Sequence, residues 1–179
     1  MNQIRPIVEL GDPRLREVAK MVERSLDEAV INIISDMTAT LASTCGVGIA
    51  APQIGECYQV IIVSSRPTAR YPMAPPMSPI VMINPTFNST TERREKDWEG
   101  CLSIPGIRAL VPRYTDIEVN YQDTQSVFKT INFSGFVARV FQHEFDHLHG
   151  QVYLDRVESS LDIISENMFQ KLYVEKKQL

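Results

Sequence analysis

The chain has 179 residues, 44% hydrophobic and 22% charged, which suits one buried core and excludes a chain disordered throughout. Its formal net charge of −4 lacks the basic excess of a dedicated nucleic-acid binder, and three cysteines are too few for a disulfide framework. The opening "MNQIRPIVELGDPRL" has no signal-peptide core, and no apolar run approaches the ~18 residues of a membrane helix, so the expectation is one reduced, soluble, cytoplasmic domain spanning 1–179.

In chain order, "GDPRLREVAKMV" predicts a short helix with Asp12 as N-cap and Pro13 at the first helical position. "SLDEAVINIISDMTATLAST" predicts a longer one, with Ser25 and Glu28 as a capping box and Leu26, Ala29, Ile33, Met37 and Leu41 on one face. The glycines of "CGVG" stop it. "YQVIIVS" (58–64) and "IVMINP" (80–85) read as strands, the second ended by Pro85. Between them "SRPTARYPMAPPMSP" (65–79) holds five prolines and reads as an irregular surface loop. A charged stretch, "TTERREKDWEG", leads into "CLSIPGIRALVPR"; then "YTDIEVNYQD" and "SVFKTINF" alternate across a short turn, as in a hairpin. From Gly135 the period turns helical through Phe136, Val137, Val140, Phe141, Phe145 and Leu148, with Gly150 as the stop. A last helix is predicted from Leu161 to Val174. Strands in the middle with helices at both ends make an α+β arrangement.

The helix from Gly135 carries the chemistry. In "VFQHEFDHLHG" (140–150), His143 and His147 stand one helical turn apart and project from the same face, where two imidazoles can converge on one cation. Glu144, one residue on, reaches a water at that cation and not the cation itself; this HExxH pattern belongs to metal-assisted attack of water on a carbonyl. His149 points away from that face and reads as a satisfied or solvent-facing side chain. A catalytic site needs a third protein ligand. No histidine follows, so the candidates are a downstream carboxylate (Asp155, Glu158, Asp162 or Glu166) or Cys101, which "EGCLSIPG" places at a turn. Cys45 and Cys57 read as structural.

Three motifs in order, "CGVGIAAPQIG" (45–55), "EGCLS" (99–103) and "QHEFDHLHG" (142–150), make the chain resemble peptide deformylase over most of its length. The resemblance implies antiparallel and mixed sheets wrapped around a central metal-binding helix, and hydrolysis of the N-formyl group from N-formylmethionyl peptides with release of formate. It implies Cys101, His143 and His147 as metal ligands and Glu144 as general acid/base. Gln53 and the Leu102 backbone N–H become the donors to the oxyanion. Gly46 and Gly48 border the substrate cleft, and Arg108 lies near the far end of the peptide. From the residues themselves, Val140 and the glycine edge at Gly46 can line an apolar methionine pocket, although core packing explains Val140 equally well. The implied ion is Fe2+, with Zn2+, Ni2+ or Co2+ able to substitute, and the implied partner is the formylated peptide. From composition, no nucleic-acid specificity and no membrane attachment are expected, transient docking on a ribosome through a local basic segment stays open, and a monomer is the default. The chain departs from the family pattern at Ile49, where leucine is commoner, at Trp98, where an acid is often found, and in loop 65–79, read as a surface insertion. A metallopeptidase with a carboxylate as third ligand leaves the first two motifs unexplained. An inactive ribosome-associated binding module has no need of the intact chemical residues.

Overall fold

Four successive β-branched residues, Val60 to Val63, are all buried, which a strand achieves only when both faces of its sheet are covered. In the computed structural model, which describes residues 3–68 and 71–174, this is what happens. The strands, in chain order, are β1 (Gly48–Ala50), β2 (Val60–Ser65), β3 (Met77–Ser89), β4 (Arg94–Cys101), β5 (Ile104–Tyr114), β6 (Asp116–Gln122), β7 (Phe128–Ser134) and β8 (Ile163–Ser165); the helices are α1 (Glu28–Ala42), α2 (Gly135–Leu148) and the short α3 (Glu166–Phe169). One antiparallel sheet runs β1-β2-β3-β6-β7 and a second runs β4-β5-β8. Val60 and Ile62 face α1, packing with Val30, Ile33, Met37 and Leu41. Ile61 and Val63 face the other way, with Met82, Ile117, Val119 and Phe133, against Ala138, Phe141 and Leu148 of α2. The small sheet has its own core of Ile104, Ala109 and Val111 with Val152 and Tyr153. The expected α+β architecture, antiparallel sheets flanking the helix that carries the two histidines, is therefore the one found. No helix among the described residues is long and apolar enough to cross a membrane.

Several local expectations need correcting. Helix α1 starts at Glu28, with Asp27 as an N-cap that makes no side-chain bond. Ser25 is buried and its hydroxyl meets that of Ser126 at the β6–β7 turn instead, so the capping box does not form. The buried face is then Val30, Ile33, Met37 and Leu41, leaving Leu26 60% exposed and Ala29 exposed. The Asp12–Pro13 signal yields only a 3-10 turn, Pro13–Arg16, capped by Asp12; beyond it Val18 bridges to His149 and Lys20 to Tyr58. Pro85 does not end its strand. The pairing slips between Ile83 and Thr86, Asn84 takes a φ of 50°, and its side chain bonds both backbone groups of Val22 at 2.9 and 2.8 Å. A bulge is where a strand tolerates proline.

The charged stretch 90–100 conceals β4, whose one neighbour is β5; charged side chains are the usual protection of an edge strand. The helix expected from Leu161 is broken. Ile163 and Ile164, β-branched, extend as β8 along Ile107–Ala109, and Ser165 then caps α3 by accepting from the Met168 N–H. Gln170–Val174 continues as a π-turn. In loop 65–79, residues 69–70 lie outside the described residues, but Tyr71 does not simply face solvent: its ring packs on Phe136 of α2 at 5.2 Å.

Candidate metal centre

The β4–β5 connection is as short as a hairpin permits: Cys101 pairs with Ile104, so Leu102 and Ser103 alone make the turn. It brings Cys101 beneath α2, beside the two histidines that helical spacing has already placed together. The ligand atoms of Cys101, His143 and His147 all lie within 4.8 Å of one another, and all three residues are buried. Cys101 Sγ is 3.3 Å from His147 Nε2. Around a tetrahedral ion with metal–sulfur near 2.3 Å and metal–nitrogen near 2.0–2.1 Å, donor atoms stand roughly 3.3–3.6 Å apart, so the three fit one small cation.

The competing carboxylates are occupied elsewhere. Asp155 pairs with Arg16 and accepts from the Val152 N–H; Glu158 and Asp162 pair with Lys96; Glu166 pairs with Arg108. The third-ligand question left open by the sequence thus resolves to the thiol. One further buried atom fits such a site: Glu144 Oε2, beside the two histidines, has no hydrogen-bond partner among the described residues. Natural structures rarely bury such groups unpaired without an ion, water or ligand to meet them.

A belt of buried charge holds the centre. His143 Nδ1 lies 2.9 Å from Glu99 Oε2. Glu99 accepts from Arg113 through Nε and Nη2 at 2.9 and 3.1 Å, and from Arg139 Nη1 at 2.9 Å. Arg113 also donates to Asp146 Oδ2 at 2.6 Å, and Arg156 closes on the same carboxylate. Burial alone would raise the Glu99 carboxyl; Arg113 and then His143 outweigh it and hold the group well below the usual carboxylate range. Burial likewise opposes ionisation of Cys101, but His147 and His143 bring the thiol well below its ordinary value, favouring the thiolate a metal needs. Glu144 goes the other way. Burial dominates there, the imidazoles only partly offset it, and the carboxyl rises to about 7, a suitable value for moving protons near neutrality.

A narrow cleft opens onto this centre. Gly46, Gly48, Gln53, Leu102 and Val140 line it, together with Cys101, His143 and Glu144. Gln53 is oriented: its Oε1 accepts from the Ala50 N–H at 2.9 Å, turning Nε2 toward Ser103 Oγ at 3.2 Å and Cys101 Sγ at 3.4 Å. Gly48 is tight against Glu144, since a Cβ there would stand 2.5 Å from Oε1. Arg108 is the exception. It does not line the cleft but is fully buried, paired with Glu166 at 2.6 Å and stacked over Tyr71 and Phe169. His149 is exposed, its Nδ1 at 3.0 Å from the Phe145 carbonyl, and Cys45, expected to be structural, is exposed and free.

The sequence reading gave no role to Glu99, Arg113, Arg139, Tyr71 or Phe136. For Glu99 the one signal is its place two residues before the thiol in "EGCLS". The partners on β5 and α2 are distant in sequence and carried none.

The polypeptide deformylase family model matches residues 4–162. A curated protein of Nostoc sp. named peptide deformylase 2 is 48% identical over 170 residues, 95% of each chain. The Met-Ala-Ser-bound crystal structure of the class I type b peptide deformylase of Acinetobacter baumannii superposes with a TM-score of 0.84 at 37% identity, covering 88% of this chain and all of that one. The peptide deformylase of Thermotoga maritima does so with 0.77 at 35% identity, covering 89% and 100%.

Proposed function

The chain belongs to the peptide deformylase family and is a metal-dependent N-formyl hydrolase, and we propose that its residues divide the work as follows on the N-terminal formylmethionine of nascent peptides. The observation that carries this reading is the buried Cys101/His143/His147 group with an unpartnered Glu144 oxygen beside it, at the floor of a cleft. Cys101, His143 and His147 hold one divalent ion. Such an ion supplies Lewis acidity, lowering the pKa of water at its open position and polarising a carbonyl oxygen.

The rest is the chain's own chemistry. β1 and β4 each have a single strand neighbour, so their free edges can bind an extended peptide through its backbone. Val140 and Gly46 line the space into which the methionine side chain fits, apolar enough for a flexible thioether. Glu144 accepts the proton of the attacking water and delivers it to the departing amine as the formyl C–N bond breaks, a shuttle that its raised pKa favours. Gln53 Nε2 and the Leu102 N–H donate to the oxygen that gains charge on the formyl carbon; removing one such donor typically costs about 10²–10³ in rate. The lack of a Cβ at Gly48 leaves room for the Glu144 carboxylate.

In this reading the resident ion is Fe2+, which a thiolate with two imidazoles accommodates as it does Zn2+, Ni2+ or Co2+. Residues 1–179 act as one catalytic domain, monomeric and cytoplasmic, meeting the ribosome only transiently. The test is formate release from formyl-Met-Ala-Ser with elemental analysis of protein prepared anaerobically. Glu144→Ala retains one ion and loses turnover by at least about 10²; Cys101→Ala loses the ion. Full activity of a metal-loaded Cys101→Ala refutes the ligand set, and wild type that never releases formate refutes the hydrolase.

A further inference from the structure

The segment that opens the chain, ahead of all three sequence motifs, reaches the backs of both turns that carry the oxyanion donors. The Val8 N–H donates to the Gln53 carbonyl and the Leu10 N–H to the Ser103 carbonyl, each at 2.8 Å. Gln53 stands in the 3-10 turn Ala51–Ile54, and Ser103 follows Leu102 in the β4–β5 turn. On their inner side the same two turns meet through Gln53 Nε2 and Ser103 Oγ at 3.2 Å. We propose that residues 3–10 form a positioning strap whose Val8 and Leu10 amides fix the separation of the two oxyanion donors, the Gln53 carboxamide and the Leu102 N–H. The proposal rests on the N-formyl hydrolase reading above and adds to it a segment none of whose residues lines the cleft.

Two amides spaced two residues apart in an extended chain point to one edge, roughly 6.5 Å apart. The strap therefore acts as a ruler between turns whose donors lie 50 residues apart in sequence. It can do so because its own ends are tied down. The Gln3 N–H donates to Asp36 Oδ1 and the Arg5 N–H to Thr40 Oγ1, both at 2.9 Å and both on α1. The Arg5 guanidinium spans Asp36 at 3.2 Å and Glu56, just past the Gln53 turn, at 3.3 Å. Val8 is buried, and beyond the strap Leu15 is fully buried. Arg14 closes over the end of the Gln53 turn, where a Cβ at Gly55 would stand 2.6 Å from its Nη1.

The Leu10 amide can be removed without disturbing its surroundings. The Asp12 N–H donates to the Glu9 carbonyl at 3.1 Å, and Gly11 has a φ of 111° while Leu10 keeps a negative one, so residues 9–12 form a type II turn. The second position of such a turn is the one proline favours, and Leu10 occupies it with its side chain 43% exposed. Leu10→Pro thus deletes the donor to Ser103 and retains the turn.

The test measures formate release from formyl-Met-Ala-Ser by the metal-loaded full chain as wild type, Leu10→Pro and Leu10→Ala. A shift of ~1 Å costs ~10² in rate, so a donor displaced by about half that distance should lower kcat about tenfold in Leu10→Pro. KM and metal content should stay within about twofold of wild type. Leu10→Ala, which keeps the N–H, should recover most of the loss. The product Met-Ala-Ser lacks the formyl oxygen, so its binding makes no use of the donors. Trp98 is the only tryptophan in the sequence and lines the cleft, and titrating its emission with Met-Ala-Ser should give one affinity for all three proteins. A Leu10→Pro kcat within about twofold of wild type overturns the proposal, as does an equal loss in Leu10→Ala. Loss of the ion or of Met-Ala-Ser affinity in Leu10→Pro marks a general loosening and overturns it too. Amide exchange of wild type tests the strap even where the variant does not fold: Val8 and Leu10 should be protected by at least about 10³ over the unfolded chain, and weaker protection rejects it. Should metal-loaded wild type hydrolyse no formyl peptide, it is the hydrolase reading that fails.

Discussion

Replacing Gly48 by alanine should disable the enzyme without unfolding it or emptying its metal site. Gly48 does not occupy the left-handed region, so its backbone accepts alanine without strain. The added methyl, however, would stand 2.5 Å from Glu144 Oε1 and 2.9 Å from both Cδ and Cγ. Ordinary contact begins at 3.4 Å, so the carboxylate must retreat from 2.5 Å to at least 3.4 Å, a shift of about 0.9 Å. Glu144 is a flexible side chain and can yield, which keeps the cost to stability small. Catalysis is less forgiving: displacing a reacting group by ~1 Å can cost ~10² in rate. The expected result is a kcat about 10² lower, with KM, melting temperature and metal content near wild type, read by coupled formate release, thermal unfolding and elemental analysis. Because the effect acts through Glu144, Gly48→Ala should add almost nothing in a Glu144→Ala background, an interaction that a double-mutant cycle measures directly. A Gly48→Ala enzyme within about threefold of wild type, or full additivity of the two losses, would refute the reasoning.

Three further outcomes are expected. Arg139→Met removes the donors to Glu99 Oε1, the Val111 carbonyl and the Glu95 carbonyl; with Arg113 the one arginine left to orient Glu99 against His143, chelator competition should show metal affinity about tenfold weaker, and Arg139→Lys should recover part of it. Phe141→Ala empties the fully buried centre of a ring cluster formed with Phe87, Phe133 and Phe145, and urea unfolding should report a loss of about 3–5 kcal/mol. Asp36 accepts from the Gln3 N–H and, next, from Arg5, which lowers its carboxyl in the folded state. The stability it confers is therefore full above the unfolded carboxylate value of about 3.9 and is lost as pH falls through the folded value, so the acid limb of wild type should be steeper than that of Asp36→Asn in denaturation at graded pH.

The parts of the molecule legible in the sequence are those whose partners are close in the chain. His143 and His147 announce themselves because one helical turn is a local distance, and the β6–β7 hairpin because its turn is short. Thr90–Gly100 is opaque for the opposite reason: the charges of an edge strand protect its solvent side and mask its alternation, so β4 reads only as a charged stretch. Pro85 misled because a bulge, stabilised by Asn84 reaching back to Val22, is a tertiary compensation for a local breaker. At the C-terminus Ile163 and Ile164 fit a helix by period and a strand by branching; the free edge of β5, remote in sequence, decided between them. Arg108, which the resemblance places near the far end of the peptide, is buried away from the cleft, because the glutamate it pairs with lies 58 residues on, in a segment with no motif of its own.

The least local element is also the one that makes the centre a single unit. Arg113 stands in β5, donates twice to Glu99 in β4 and once to Asp146 in α2. Glu99 lies two residues from the thiol ligand and Asp146 one residue from His147, while Glu99 itself meets His143. One guanidinium thus sets the distance between the strand that carries sulfur and the helix that carries both imidazoles. Lysine has the charge but not the planar fork, and cannot make the paired Nε and Nη2 bonds to Glu99 while a third nitrogen reaches Asp146. A buried pair of acids with one arginine between them gains little stability over apolar packing, because desolvation offsets most of the Coulomb energy. What it does provide is a fixed separation between two secondary-structure elements, and a three-ligand site drawn from both elements requires that more than it requires stability.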